Sequence, residues 1–123
     1  MALPTIELST HAAEIGPAEY VLTVGGEVDL HSAPALQAAL DDVIAAGATT
    51  LVLDLRHVLF IDSTGMSVVT AAVKRLRDGG GSFVIASDKP EVLRVFRITG
   101  LDRFITVRGS LTAAMDAVRG RSA

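Results

Sequence analysis

The sequence predicts a single α/β domain with a mixed, mostly parallel sheet of about five strands and about four helices. The chain has 123 residues, half of them apolar and 4% aromatic, which allows one core filled with Val, Leu, Ile and Ala. After an initial pair of strands, apolar strand-like segments alternate with amphipathic helical segments. The predicted order is β-β-α-β-α-β-α-β-α. The single domain spans 1–123, has its core at about 6–119 and contains no repeat or linker.

The first two strands are predicted to form an antiparallel hairpin. Residues 6–9 are a short candidate strand, and residues 20–24 are a stronger one that ends at Gly25-Gly26. The segment between them contains Gly16-Pro17, which is a turn signal, so we expect a loose loop there. Residues 27–30 continue outward from the second strand with alternating acidic and apolar side chains.

The first helix is expected to begin after a polar cap. Either Ser32 or Asp29 can provide that cap, and Pro34 suits the first helical turn. Apolar residues then recur at helical spacing up to Ile44, and Gly47 is expected to stop the helix.

Residues 50–55 are predicted as the central strand because they are apolar and β-branched almost throughout. Val58, Phe60 and Ile61 are expected to continue the buried apolar segment up to a turn at Asp62. A second helix follows directly, and the glycines at 79–81 end it. Its apolar stripe consists of Met66, Val69, Val73 and Leu76.

The C-terminal part predicts two further strand–helix units. The strands are placed at 82–86 and 104–107. The helix between them is expected to have Asp88 or Ser87 as its cap, Pro90 in its first turn and Gly100 at its end. The last helix is expected to have Ser110 as its cap and to end before a frayed tail.

Composition narrows the function classes. There is no cysteine, the three histidines show no metal-ligand spacing, and the triple glycine lacks the lysine of a phosphate-binding loop, so we expect no metal and no cofactor. No segment resembles a membrane span or a signal peptide, which predicts a soluble cytoplasmic domain. Residues 1–62 carry a net charge of −8 and residues 63–123 carry +5. We interpret this charge asymmetry as the sign of a polarised surface that binds a protein partner. We expect no direct binding of nucleic acid.

The stretch Asp62-Ser63-Thr64-Gly65 is the main candidate site. It lies between a strand and a helix, so its backbone N–H groups and the positive end of the helix dipole favour an anion. Ser63 has three possible uses: helix cap, nucleophile or phosphoacceptor. If the segment is only a cap, either Asp62 or Ser63 accepts from the backbone N–H groups of the first helical turn. The nucleophile is disfavoured because Ile61 stands where the G-x-S-x-G motif requires glycine, and no histidine is paired with a carboxylate in a recognisable arrangement.

Three motifs resemble the STAS-domain anti-sigma-factor antagonists, bacterial regulators that are switched by serine phosphorylation. The motifs are Gly26-Glu27-Val28-Asp29, Asp62-Ser63-Thr64-Gly65-Met66 after the central strand, and Thr99-Gly100-Leu101-Asp102 before the fifth strand. The resemblance covers about residues 6–119. Many relatives have glycine at the position of Ser67, a departure that bears on partner fit more than on the fold.

The resemblance implies a phosphoprotein that regulates transcription by partner switching. Unphosphorylated, it would bind an anti-sigma factor with serine-kinase activity and so release the sigma factor. Phosphorylation at Ser63 would abolish binding, and a serine phosphatase would restore it. Asp29 maps onto the acidic loop near the phosphorylation turn. The expected partner-binding residues are Glu27, Asp29, Asp62, Ser63, Thr64, Gly65 and Met66.

The position of Ser63 leads to the hypothesis that phosphorylation acts at the interface and leaves the fold intact. A phosphate is tolerated at a helix N-terminus, whereas its charge repels an acidic or apolar partner surface. In this hypothesis, the unmodified turn offers Met66 and small residues to the partner. The alternatives are a STAS scaffold or ligand-binding domain that is not phosphorylated, and a small serine hydrolase. The sequence leaves three questions open. They are whether Thr64 is also phosphorylated, whether a purine nucleotide binds, and whether the protein is a monomer or a weak dimer.

Overall fold

The computed structural model describes residues 7–119 and confirms the predicted order of strands and helices. Its elements are β1 (Ser9–Gly16), β2 (Glu19–Val28), α1 (Ala33–Ala45), β3 (Thr50–Ile61), α2 (Ser63–Asp78), β4 (Ser82–Ala86), α3 (Pro90–Ile98), a short 3-10 helix (Leu101–Arg103), β5 (Thr106–Arg108) and α4 (Leu111–Val118).

The five strands form one mixed sheet in the order β1-β2-β3-β4-β5. β1 pairs with β2 antiparallel, as a hairpin must, and the other neighbours are parallel because a helix returns the chain between them. In the β2–β3 pair, Val28 lies opposite Ile61, so the two strands end side by side. This shared end positions the turn that follows β3.

Helices cover both faces of the sheet. α1, α2 and α3 pack on one face over the larger core, to which they contribute Leu40, Val69 and Phe96. α4 packs on the other face through Ala114 over a smaller core. On the sheet, Asp54 is fully buried and is neutralised by an ion pair with Arg56, whose Nε lies 2.7 Å from the carboxylate.

The prediction for the first strand was wrong in position. Of the predicted strand 6–9, residue 6 lies outside the described residues, and β1 begins only at Ser9. It then runs through the segment expected to be a loose loop, and only Pro17 and Ala18 separate it from β2. β1 is an edge strand with mostly exposed side chains, so it lacks the apolar alternation by which strands are recognised.

Two predictions at strand ends were also wrong. β5 begins at Thr106, two residues later than expected, because the 3-10 helix and a turn occupy the preceding residues. Phe60 was expected to be buried, but a register shift in the β2–β3 pair leaves it exposed.

The expected cap of α3 was wrong as well. Lys89 occupies that position and makes no side-chain cap bond, whereas Ser87 is buried and accepts a bond from the Lys89 N–H at 3.3 Å. The cap of α4 is Ser110 as predicted, since its hydroxyl accepts from the Ala113 N–H at 3.1 Å.

Candidate functional site

The candidate site lies where β2 and β3 end at the same edge of the sheet. The Asp62 N–H donates to the Val28 carbonyl at 3.0 Å, so Asp29 and Asp62 follow the ends of adjacent parallel strands. Ser63 opens α2 directly after Asp62. We call Glu27, Asp29, Asp62, Ser63 and Thr64 the serine edge. Carboxyl ends of parallel strands are where α/β sheets commonly place their functional groups.

Asp62 is the N-cap of α2, which settles the choice between Asp62 and Ser63. Its backbone is extended, and its carboxylate accepts from the Gly65 N–H at 2.9 Å. The Asp62 carbonyl accepts the first helical bond, from the Met66 N–H at 2.9 Å. Ser63 is therefore the first residue of the helix, and its neighbour Asp62 provides the cap.

The Ser63 hydroxyl is exposed and is not used by the fold. Within residues 7–119, no side chain or backbone group hydrogen-bonds to it. The Ser63 carbonyl instead accepts from the Ser67 hydroxyl at 3.0 Å. The N–H groups of Ser63 and Thr64 have no acceptor in this part of the chain and lie at the positive end of the α2 dipole. The position can therefore hold an anion.

Gly65 lets α2 approach the sheet closely. A Cβ on this buried residue would lie 2.4 Å from Val28 Cγ1 and 2.9 Å from Ile61 Cγ1, which is well inside van der Waals contact. The glycine thus fixes the first turn of α2 against the ends of β2 and β3. It holds Ser63 in place from a buried position.

Asp29 is held as a charged carboxylate in the loop before α1. It accepts from the N–H groups of His31 and Ser32, both at 2.9 Å. The bond from the Ser32 N–H is the main cause that lowers the pKa of Asp29, against the opposing effect of burial. The Ser32 hydroxyl donates to the Glu27 carbonyl at 2.7 Å and accepts from the Asp29 N–H. Ser32 is the N-cap of α1 by position, but its side chain serves this loop.

The expectation that Met66 is offered to a partner was wrong. Met66 is 3% exposed and belongs to the larger core, because it faces the sheet from the first turn of α2. The apolar residues that are exposed near the serine edge are Leu30 (67%), Leu59 (48%) and Phe60 (46%). Sequence reasoning missed all three. For Leu59 and Phe60, the available signal was the surplus of apolar residues at the end of β3, more than one buried face can hold.

The histidines do not form a catalytic pair with Ser63. No histidine nitrogen among residues 7–119 hydrogen-bonds to the Ser63 hydroxyl. The same part of the chain contains no group of three or more His, Cys, Asp or Glu side chains arranged to hold a metal ion. Nor does it contain a helix long and apolar enough to cross a membrane.

The chain is similar in sequence to known proteins. The family model described as "STAS domain" matches residues 10–114. The anti-sigma-F factor antagonist RsfB of Mycobacterium tuberculosis is 34% identical over 100 residues, which are 81% of each chain.

Two solved structures have the same fold. A crystal structure of an anti-sigma factor antagonist from Mycobacterium paratuberculosis has a TM-score of 0.84 at 32% identity, with 92% of this chain and 95% of that one covered. The anti-sigma factor antagonist SpoIIAA in its unphosphorylated form has a TM-score of 0.77 at 25% identity, with 94% of this chain and all of the other covered. The predicted fold class is therefore confirmed.

Proposed function

The chain belongs to the STAS domain family, and on that basis we propose that it is an anti-sigma-factor antagonist controlled by phosphorylation of Ser63. The unphosphorylated form binds an anti-sigma factor that also acts as a serine kinase, and the sigma factor is released. Phosphorylation blocks this binding and a serine phosphatase restores it. The protein acts in the cytoplasm as a regulator and substrate, with no catalysis of its own. The names of the relatives support the antagonist function.

The observation that carries this proposal is the state of the Ser63 hydroxyl. It is exposed at the first position of α2, and within the described residues it makes no hydrogen bond. A kinase can reach it without unfolding any element. The aspartate before it already caps the helix, so modifying Ser63 removes no capping interaction. A structural serine would instead be engaged, as Ser110 is in the cap of α4.

The fold should tolerate the phosphate. Its oxygens can accept from the N–H groups of Ser63 and Thr64, and the helix dipole favours negative charge at this end. These contributions oppose the repulsion from the Asp62 carboxylate. We therefore expect the switch to leave the sheet and α2 in place.

The partner, in contrast, meets a different surface after phosphorylation. The serine edge already carries the carboxylates of Glu27, Asp29 and Asp62. A phosphoserine adds about −1.5 to −2 charges at neutral pH. A partner surface that fits the unmodified edge must then desolvate this group or face like-charge repulsion, and either effect costs several kcal/mol. Affinity is lost although the fold is kept.

Apolar contact is the other requirement of a stable interface. Because Met66 is buried, we assign this contact to three exposed residues: Leu59 and Phe60 near the end of β3, and Leu30 in the loop that follows β2. A large exposed apolar group next to a polar rim is typical of protein interaction sites. Phe60 lies opposite Glu27 in the β2–β3 pair and so joins the apolar residues to the serine edge.

The experiment has two parts. Mass spectrometry of the chain expressed with its host's serine kinases should find one phosphate, on Ser63, and Ser63→Ala should remove it. Pull-downs with wild type, Ser63→Ala and Ser63→Asp should then recover the anti-sigma factor with the first two only. Equal recovery with Ser63→Asp would contradict the switch, and no phosphate on Ser63 would favour an unphosphorylated STAS scaffold.

A further inference from the structure

Phe104 stands in solvent at a turn between α3 and β5. Its N–H donates to the Leu101 carbonyl at 3.0 Å, and the Ile105 N–H donates to the same carbonyl at 2.8 Å. Ile105 is buried, whereas Phe104 is 67% exposed. The backbone is thus anchored on both sides of an aromatic ring that the fold does not bury. An exposed phenylalanine on a hydrogen-bonded turn is a candidate contact for a binding partner.

Two cavities have Phe104 in their linings. One, of about 330 Å³, lies against α2 and is lined by Val73, Lys74 and Leu101. The other, of about 700 Å³, lies between α3 and β5 and is lined by Arg97 and Thr106, among others. Phe104 and Ile105 line both cavities, so the two are joined into one surface. We call it the Phe104 surface.

The Phe104 surface is rich in positive charge. Five cationic side chains line its two cavities: Lys74, Arg77, Arg97, Arg103 and Arg108. None of them forms a salt bridge within residues 7–119. Three carboxylates lie in the same linings, those of Asp78, Asp88 and Asp102. A local surplus of cations on a chain with a net charge of −3 marks the surface as one that attracts anions.

We propose that the Phe104 surface is a second docking site, which binds an acidic protein segment carrying apolar side chains. The apolar walls around Val73, Leu101 and Phe104 take an apolar side chain of the partner. The cations around them pair with carboxylates of the partner. This combination of an aromatic residue with arginines is enriched where interfaces gain most of their binding energy.

The shape and charge pattern favour a protein segment over other polyanions. The cavities are concave and each has room for a few side chains, whereas a membrane surface is broad and cannot enter them. Asp78, Asp88 and Asp102 lie among the cations, so a uniformly anionic surface or a phosphate backbone would be repelled in places. In addition, a single exposed aromatic ring gives bases little to stack on. A partner with spaced carboxylates avoids these conflicts.

The site lies apart from the serine edge. Ser63 opens α2, while the cavity against α2 begins at Thr70 and extends to Asp78 at the end of the helix. At ~1.5 Å per residue, Thr70 lies about 10 Å along the helix from Ser63. Binding at the Phe104 surface should therefore be independent of the state of Ser63.

The test uses the full ¹⁵N-labelled chain and a short synthetic peptide in which Glu and Leu alternate. Amide shifts in a titration should appear at residues 70–78 and 97–109. We expect Phe104→Ala and Arg103→Gln each to weaken binding about tenfold, as for the loss of an interface anchor. Ile98→Ala and Arg94→Gln are matched controls, since both residues are exposed and line neither cavity. These controls and Ser63→Asp should bind like wild type.

Several results would overturn the proposal. One is the absence of saturable binding up to about 1 mM peptide. Another is binding that Phe104→Ala leaves unchanged. Equal binding of a peptide with Gln in place of Glu would remove the role of the cations. Anionic vesicles or duplex DNA binding through Phe104, with no binding of the peptide, would show that the occupant is of another class. All these outcomes leave the Ser63 switch untouched.

Discussion

The serine edge and the Phe104 surface lie toward opposite ends of α2, and they differ in charge and in construction. The serine edge is acidic and is fixed by backbone hydrogen bonds, with Gly65 packed against Val28 and Ile61. The Phe104 surface is basic, open and lined by long flexible side chains. The difference indicates that a closely packed site suits an on–off switch by one phosphate, whereas a basic surface with long cationic side chains suits docking of an acidic partner.

The largest effect should be seen at the serine edge when a charge is added. We expect Ser63→Asp to weaken binding of the anti-sigma factor about a hundredfold, because like charges are brought together at the interface. Ser82→Asp is the matched control: it places the same charge on an exposed serine at the start of β4, at the opposite edge of the sheet from Ser63. It should have a much smaller effect in the same titration calorimetry experiment. Equal losses for both variants would make the response one of general surface charge.

The next effect tests how tightly the two regions are packed. Gly65→Ala should lower the free energy of unfolding by about 2 kcal/mol, since the added methyl group overlaps Val28. Gly109→Ala, at the end of the Phe104 surface, should change it by less than about 0.5 kcal/mol because no atom lies within 4 Å of the added carbon. Chemical denaturation measures both values. Similar values for both would mean that the serine edge is no tighter than the Phe104 surface.

Two exposed phenylalanines should separate the functions of the two surfaces. Phe60→Ala should weaken binding of the anti-sigma factor about tenfold and leave the Glu–Leu peptide unaffected, since the residue lies beside the serine edge. Phe104→Ala should do the reverse. Titrations of both variants with both ligands give the answer. If Phe104→Ala also weakened binding of the anti-sigma factor, the two surfaces would be parts of one interface.

A smaller effect concerns the two helix caps. Asp62→Ala should cost about 1 kcal/mol, the usual loss when an N-cap side chain is removed. Ser110→Ala removes the corresponding bond at α4 and should cost a similar amount. Thermal unfolding compares the variants. Only Asp62→Ala should also alter binding of the anti-sigma factor, because only that cap lies beside Ser63.

The smallest effect concerns pH. The lowered pKa of Asp29 means that its carboxylate stabilises the folded chain above the ordinary carboxyl pKa of about 3.9. This stabilisation is lost as pH falls from there through the lowered folded value. A carboxyl ¹³C titration should show the low pKa. Ser32→Ala should retain most of the lowering of the pKa, because the main cause is the Ser32 backbone N–H and the Ser32 side chain is a smaller one. An ordinary pKa in wild type would contradict the hydrogen-bond geometry of the loop.

The sequence predicted those features that depend on strong local signals. The alternation of strands and helices, the parallel sheet and the turn at Asp62 followed from apolar periodicity and polar caps. β1 was misplaced because an exposed edge strand has no apolar face to reveal it. Asp62 and Ser63 were equally good caps by residue type, and only the bond to the Gly65 N–H distinguishes them.

The surfaces were harder to predict than the elements. Met66 was expected at the interface because it follows Ser63 closely. Its position on the helix instead directs its side chain into the core. Phe60 was expected to be buried, and Phe104 was expected to begin the fifth strand. A register shift in one case and a 3-10 turn in the other expose them, and neither feature has a clear sequence signature.

The central claim is that phosphorylation of Ser63 changes the surface that a partner meets and leaves the fold in place. The most direct test is an amide NMR titration of the Ser63-phosphorylated chain with the anti-sigma factor, beside the unmodified chain. We predict that the free phosphoprotein keeps its amide dispersion, with shifts confined to the serine edge, and that it fails to bind at concentrations that saturate the unmodified chain. Tight binding of the phosphoprotein, or shifts spread through the core, would contradict the claim.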